Sequence, residues 1–140
     1  MKRFVTLFLV LVCAVAVLTG CGGEPAQHTQ TQQQTQVENV TFQISAISPT
    51  GATLIITDTN PEPYLYGEWY KIQRLAGGQW VDVPTVIDNY AFNLMGYIPD
   101  ANGEVKFTIN WEWLYGKLPS GEYRLWKQVG AKECYIEFSI

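Results

Sequence analysis

The clearest alternation of apolar and polar residues in the chain is the stretch Val105-Lys106-Phe107-Thr108-Ile109-Asn110-Trp111. Because successive side chains of a strand point to opposite faces, this pattern predicts a strand with one buried face and one face toward solvent. The turn sequence Pro99-Asp100-Ala101-Asn102-Gly103 precedes it. No segment of the chain keeps a helical period over three turns, so the pattern indicates an all-β protein.

Seven further segments between residues 38 and 140 have strand character, and turn sequences separate them. They are residues 40–46, 52–57, 64–74, 80–83, 90–98, 123–129 and 134–140. The signal is weakest at 90–98, where Asn93 and Gly96 interrupt it. Residues 112–118 break the alternation and predict one helical turn closed by Gly116. Seven to eight short strands in about 100 residues predict an antiparallel β-sandwich, formed by one domain at 38–140.

A corner sequence, Leu118-Pro119-Ser120-Gly121-Glu122-Tyr123, introduces the second-to-last strand. Tyr123 has the placement of a tyrosine corner, in which the hydroxyl bonds the main chain across the corner. Together with Tyr66-Gly67-Glu68 and Gly78-Gln79-Trp80, the run from Trp111 to Arg124 resembles a bacterial immunoglobulin-like domain found on lipoproteins of Gram-positive bacteria. The resemblance covers about residues 40–140. It implies an immunoglobulin-like sandwich at the cell surface, and it brings no assigned activity or ligand.

The first 20 residues have the character of a signal peptide. Lys2 and Arg3 precede an apolar run of 13 residues at 5–17, which is shorter than the ~20 residues of a membrane-spanning helix. Leu18-Thr19-Gly20-Cys21 follows and resembles the lipobox of bacterial lipoproteins. The resemblance implies that residues 1–20 are removed and that Cys21 carries diacylglycerol, which anchors the protein to the outer face of the cell membrane. The alternative is an ordinary secretory signal cut nearby, with Cys21 incidental.

Residues 21–37 are predicted to be a flexible linker between the lipid and the domain. Residues 22–36 are rich in Thr and Gln and contain no aromatic residue and no aliphatic residue larger than Ala, so they cannot bury enough surface to offset the entropy of ordering. His28, the only histidine, lies here without a second metal ligand nearby. Loss of Lys2 and Arg3 with the signal changes the formal charge from −4 to −6, which argues against nucleic acid as a partner.

The domain lacks the residues of the common catalytic sites. It has no histidine, no GxSxG motif and no P-loop, and no cofactor or metal site is predicted. Glu68 and Glu112 lie near aromatic residues in the sequence and could form a carboxylate pair, but small sandwiches seldom contain the cleft that a glycosidase needs. Cys134 alternates with apolar residues of the last strand and is predicted to be a buried thiol, with intermolecular pairing or a reactive thiol as the alternatives. The sequence therefore predicts no enzyme.

The aromatic residues give the main functional indication, because all five Trp and all eight Tyr follow residue 60. The alternation in four strands places an outward aromatic residue on each, with one cation beside them. This predicted face consists of Trp69, Trp80, Trp126, Tyr135 and Arg124. Such a face indicates a module that binds an envelope glycan or a protein partner. The alternatives are rings that pack on one another as cross-strand pairs in a structural domain without a ligand, or a central core position for Trp69.

Overall fold

A computed structural model describes residues 31–140 of the chain. The predicted signal peptide, Cys21 and His28 lie outside the described residues. Ten strands and one helical turn follow one another in the described part. They are β1 (Thr31–Gln34), β2 (Val40–Ser48), β3 (Gly51–Asp58), β4 (Tyr66–Gly67), β5 (Lys71–Ala76), β6 (Gln79–Asp82), β7 (Gly96–Tyr97), β8 (Glu104–Asn110), α1 (Glu112–Tyr115), β9 (Glu122–Val129) and β10 (Lys132–Ser139). Among these residues, no helix is long and apolar enough to cross a membrane.

The strands form two antiparallel four-stranded sheets, which confirms the predicted immunoglobulin-like sandwich. The first sheet has the order β1-β2-β3-β8 and the second has the order β10-β9-β5-β6. A small third sheet pairs β4 with β7. The core contains the inward residues of both large sheets, as the alternation predicts: Val40, Phe42, Ile44, Leu54, Ile56, Ile72, Leu125 and Ile136 are at most 1% exposed. Cys134 is also buried and is the free cysteine of the described residues.

Aromatic residues close one end of the core. Trp111 is fully buried, its ring stacks on Phe138 at 5.4 Å, and its Nε1 donates a hydrogen bond to the Pro49 carbonyl at 2.9 Å. The Tyr123 ring also stacks on Phe138, with ring centroids 5.5 Å apart. The Tyr123 hydroxyl donates to the Pro119 carbonyl at 2.6 Å, so the corner before β9 is fixed to its own strand.

Strand β1 differs from the composition-based expectation, which assigns residues 31–34 to the linker. These four residues pair with β2 over the register Thr31 with Ile44 to Gln34 with Thr41. An edge strand needs main-chain hydrogen bonds to its neighbour more than apolar side chains of its own, and Thr favours strands. Composition alone therefore places the start of the domain too late.

The predicted long third strand at 64–74 is interrupted. Tyr66 and Gly67 pair with β7, whereas pairing with β9 begins only at Lys71. Residues 68–70 between the two pairings are outside any strand. The prediction of one continuous strand is wrong because its two ends belong to different sheets.

The predicted strand at 90–98 is also wrong, apart from its last part. Only Gly96–Tyr97 pairs, and residues 83–95 contain no strand. Phe92 packs its ring on Tyr70 and Trp113 instead of forming an alternating face. A smaller difference occurs in β2, where a bulge at Ala46, with φ of 48°, turns this predicted inward residue to solvent.

Candidate functional site

The outer face of the second sheet holds three of the four aromatic residues that the sequence assigned to one face. Trp126 on β9 lies opposite Tyr135 on β10, and their ring centroids are 4.8 Å apart. The Arg124 guanidinium lies 4.1 Å from the centroid of the Trp80 ring and 4.1 Å from that of Tyr135. The structure therefore brings Trp80, Arg124, Trp126 and Tyr135 together. We call these four residues the outer face.

The side chains of the outer face already have interaction partners within the domain. Arg124 forms an ion pair with Glu137 at 2.7 Å. The Trp126 Nε1 donates to Gln73 Oε1 at 2.9 Å, and the Lys71 Nζ lies 5.1 Å from the Trp126 ring centroid. All three rings are half-buried. These contacts match the alternative of cross-strand pairs that stabilise the sheet.

Trp69 is not joined to the outer face. It lies in the interruption between β4 and β5 and is half-buried. Its main-chain carbonyl accepts a hydrogen bond from the Lys127 Nζ at 3.0 Å. Within residues 31–140, no ring contact connects Trp69 with the three rings of the outer face. The predicted group of four is a group of three, because the chain leaves strand geometry at residues 68–70.

A second group of rings, which we call the aromatic cluster, lies near the interruption and α1. It contains Tyr70, Tyr90, Phe92, Trp113 and Tyr115. The Phe92 ring is central, with centroid distances of 5.1 Å to Tyr70, 5.9 Å to Tyr90 and 5.9 Å to Trp113 and interplanar angles of 66°, 87° and 79°. Edge-to-face contacts of this kind are favourable for aromatic pairs. Tyr90 is 44% and Trp113 is 42% exposed, so these rings present more surface to solvent than those of the outer face.

A cavity of about 350 Å³ lies between the aromatic cluster and β8. Its volume falls in the range of small-ligand pockets, ~300–1,000 Å³. It is lined by Glu68, Tyr70, Phe92, Tyr97, Lys106, Phe107, Thr108, Ile109, Asn110 and Trp113. Five of these ten residues are aromatic and four, Glu68, Lys106, Thr108 and Asn110, are polar or charged, so the cavity combines ring faces with polar groups.

The hydroxyl groups at the cavity are fixed by partners in the domain. The Tyr97 hydroxyl donates to Glu68 Oε1 at 2.8 Å, and this hydrogen bond raises the pKa of Tyr97. The Tyr70 hydroxyl donates to the Asn110 carbonyl at 3.1 Å, and burial raises the pKa of Tyr70. Both phenols therefore stay neutral at physiological pH, and their hydrogen bonds hold the cavity wall in place.

A buried cation lies behind the cavity. The Lys127 side chain is 1% exposed, and its Nζ donates to the carbonyls of Gly67 and Trp69, the latter at 3.0 Å. The Nζ also lies 4.0 Å from the centroid of the Phe107 ring. Burial lowers the pKa of Lys127 to about 8, against the opposing effect of the Glu68 charge. Lys127 thus ties the interruption at 68–70, which forms one cavity wall, to β9.

Sequence reasoning missed both the aromatic cluster and Lys127. The signal for Lys127 was present, because it shares the inward parity of Leu125 and Val129 on β9. A Lys at an inward position indicates a buried partner for its charge. The aromatic cluster had no comparable signal, since the alternation at Tyr90 and Phe92 is also typical of a strand.

The two carboxylates considered as an acid and base pair do not share the cavity. Glu68 lines it, whereas Glu112 is exposed at the start of α1 and lies 4.0 Å from Lys117. In the part of the chain that the structure describes, no three His, Cys, Asp or Glu side chains come together as metal ligands would. The arrangement is suited to binding through ring faces.

Comparison with known proteins agrees with the architecture. The family model of the bacterial immunoglobulin-like domain matches residues 31–139, which include both sheets, the outer face and the cavity. No curated protein and no solved structure matches the chain. The family match begins at residue 31 and so includes strand β1, which the composition had assigned to the linker. Because the match covers residues 31–139 of this 140-residue chain, the chain belongs to the bacterial immunoglobulin-like domain family.

Proposed function

We propose that this protein is a lipoprotein, anchored by diacylglycerol on Cys21 to the outer face of the bacterial cell membrane, whose immunoglobulin-like domain binds a component of the cell envelope. The lipobox at residues 18–21 and the apolar run before it support the anchor. Membership of the bacterial immunoglobulin-like family supports a surface or adhesion-type module. The ligand is an envelope glycan or a protein of the envelope.

The observation that carries the binding function is the aromatic cavity. Its wall includes the Trp113 ring, 42% exposed, and the Phe92 ring, which is held edge to face against it. An aromatic ring left partly in water contributes less to the core than a buried one, but it offers apolar contact area to a ligand. The cavity, rather than the predicted outer face, is therefore the site we assign to binding.

The test is retention on isolated cell envelopes. Residues 21–140 with Cys21→Ser are incubated with envelopes from the parent organism, and the bound fraction is measured after sedimentation. Trp113→Ala should lower retention at least tenfold while the variant stays folded, because Trp113 is 42% exposed and the buried core does not include it. The matched control is Trp80→Ala, which removes a ring of the outer face and should leave retention unchanged.

A second candidate function is a structural or accessory domain without a ligand of its own. The outer face favours it, because Arg124 and the rings around it are partnered by Glu137 and by one another. The same assay separates the two functions. If the unsubstituted chain is not retained, or if Trp113→Ala is retained as well as the unsubstituted chain, the binding function assigned to the cavity is wrong.

A further inference from the structure

The outer edge of β8 is not paired with another strand in the described residues. β8 is the last strand of the first sheet, and β3 is its neighbour on the other side. The Trp111 N–H donates to the Thr50 carbonyl, and the Asp58 N–H donates to the Gly103 carbonyl, so the odd-numbered residues of β8 bond toward β3. In an antiparallel strand the main-chain groups alternate by residue. The N–H and C=O groups of Lys106 and Thr108 therefore point away from β3, along the side that lines the cavity.

Both ends of this edge are closed by the domain itself. The Asp100 N–H donates to the Glu104 carbonyl at 2.9 Å. At the other end, the Tyr70 hydroxyl donates to the Asn110 carbonyl at 3.1 Å. The open stretch is thus short and has a defined length: the N–H and C=O groups of Lys106 and Thr108 and the N–H of Asn110 lie between the two bonded carbonyls.

This edge lies where an immunoglobulin-like sheet has its fourth strand. In the constant-type arrangement, the strand equivalent to β8 is followed outward by one more strand, which precedes it in the chain. Here the chain between β6 and β7, residues 83–95, contains no strand, and its Phe92 packs on the far side of the cavity instead. The cavity therefore occupies part of the place of the missing strand.

Resting on the proposed function, we propose that this open edge binds an extended peptide segment of a partner protein. The segment adds as a strand beside β8 and directs one large apolar side chain into the cavity between Tyr70, Phe92 and Trp113. Strand addition obtains its affinity from main-chain hydrogen bonds and its specificity from pockets for alternate side chains. The edge of β8 supplies the main-chain hydrogen bonds, and the cavity supplies the pocket for a side chain.

An extended peptide fits this site better than the other occupants. Donors and acceptors two residues apart on one strand match the repeat of a second strand, which sugar hydroxyls do not share. The chain's own residues 22–30 lack an aromatic residue and any aliphatic residue larger than Ala, so they offer nothing to fill a cavity of rings. The five aromatic side chains of the lining offer contact area to an apolar side chain of such a peptide.

The test compares two substitutions at one edge position in the envelope retention assay. Thr108→Pro removes the outward N–H and places a ring against an incoming strand, but it spares the hydrogen bonds to β3. Thr108→Ala keeps the N–H and is the matched control. We expect retention of Thr108→Pro to be at least tenfold lower than that of Thr108→Ala, because only the proline variant loses the outward main-chain donor. Circular dichroism and the unfolding midpoint verify the fold of each variant.

A second arm identifies the source of the ligand without any variant. Envelopes are digested either with a broad-specificity protease or with a muramidase before the unsubstituted chain is added. If protease digestion abolishes retention and muramidase digestion does not, the partner is a peptide. If retention survives protease digestion and is lost after muramidase digestion, the ligand is a glycan and the proposal is wrong.

The remaining outcomes also decide between the two proposals. If Trp113→Ala loses retention and folded Thr108→Pro does not, the cavity binds a ligand but strand addition is wrong. If size-exclusion chromatography shows that the unsubstituted chain is a dimer and that Thr108→Pro is a monomer, the edge pairs with a second copy and the partner peptide is wrong. Absence of retention of the unsubstituted chain overturns both the proposed function and this inference.

Discussion

The Nζ of Lys127 on β9 lies 3.0 Å from the main-chain oxygen of Trp69, in the interruption between β4 and β5. The hydrogen bond joins a strand of the second sheet to the segment that forms one wall of the cavity. It places a cation among Phe107 and other core residues, where desolvation disfavours the charge. The irregular wall and the buried charge therefore depend on each other.

This buried charge predicts that stability rises with pH in a defined window. Lys127 has a pKa near 10.5 when unfolded and about 8 in the fold, so between these values the unfolded chain holds more protons. The free energy of unfolding should then rise from pH 8 toward pH 10, by at most roughly 3 kcal/mol. Above about pH 10 it should fall, because burial raises the pKa of Tyr66 and Tyr70 and only the unfolded state loses those protons.

The measurement is urea unfolding at several pH values for the unsubstituted chain and for Lys127→Met. The substitution removes the titrating group but leaves two carbonyls without a donor, so it changes the overall stability as well. The informative quantity is therefore the slope of the unfolding free energy between pH 8 and 10. Equal slopes for the two chains would show that Lys127 does not titrate in this window.

The outer face predicts coupling between its rings. Trp126→Ala should destabilise the domain by about 1–3 kcal/mol, less than a fully buried aromatic, because the ring is half-buried against Tyr135 and Lys71. A double-mutant cycle of Trp126→Ala with Tyr135→Ala should give a coupling energy of about 0.5–1.5 kcal/mol. Chemical unfolding of the four chains measures it. Additive effects would mean that the rings do not stabilise each other, and loss of envelope retention by Trp126→Ala would return the binding role to the outer face.

The sequence correctly predicts the strands that turn one face to the core and the other to solvent. Alternation at Phe42, Leu54, Ile109 and Leu125 identifies strands whose inward residues are buried, and the register of β9 and β10 follows from it. Where contacts are between side chains of irregular segments, alternation carries no information. Phe92 alternates with its neighbours as a strand residue does, yet it lies in a loop because its ring packs on distant Tyr70 and Trp113.

The candidate site was predicted only in part for the same reason. Trp80, Trp126 and Tyr135 share a face because β6, β9 and β10 belong to one sheet, which follows from the topology of the fold. The cavity depends on the interruption at residues 68–70, and no strand among residues 31–140 pairs with the outer edge of β8; both are tertiary features. Lys127 was accessible to sequence reasoning, since a cation at an inward strand position needs buried acceptors.

Cys134 predicts a thiol that reacts only in the unfolded domain. It is 1% exposed on the inner face of β10, so a thiol reagent has no path to it in the native state. In residues 21–140 with Cys21→Ser, labelling should begin only after denaturant is added. Adding Ser139→Cys, at an exposed position of the same strand, gives a control in which one thiol reacts at once and the second after unfolding. If the native chain that lacks Ser139→Cys is labelled rapidly, Cys134 lies outside the core.

The resemblance of residues 18–21 to a lipobox predicts that anchoring depends on Cys21 and not on Cys13. Two acyl chains bury their methylene groups at ~0.8 kcal/mol each, whereas a single chain binds membranes only marginally. Cys21→Ser should therefore release the protein from the membrane fraction or leave an uncut precursor. Cys13→Ser, which lies in the predicted signal peptide, should be processed and retained normally. Membrane fractionation with metabolic labelling by radioactive palmitate measures both properties, and unchanged retention and processing of Cys21→Ser would contradict the lipid anchor.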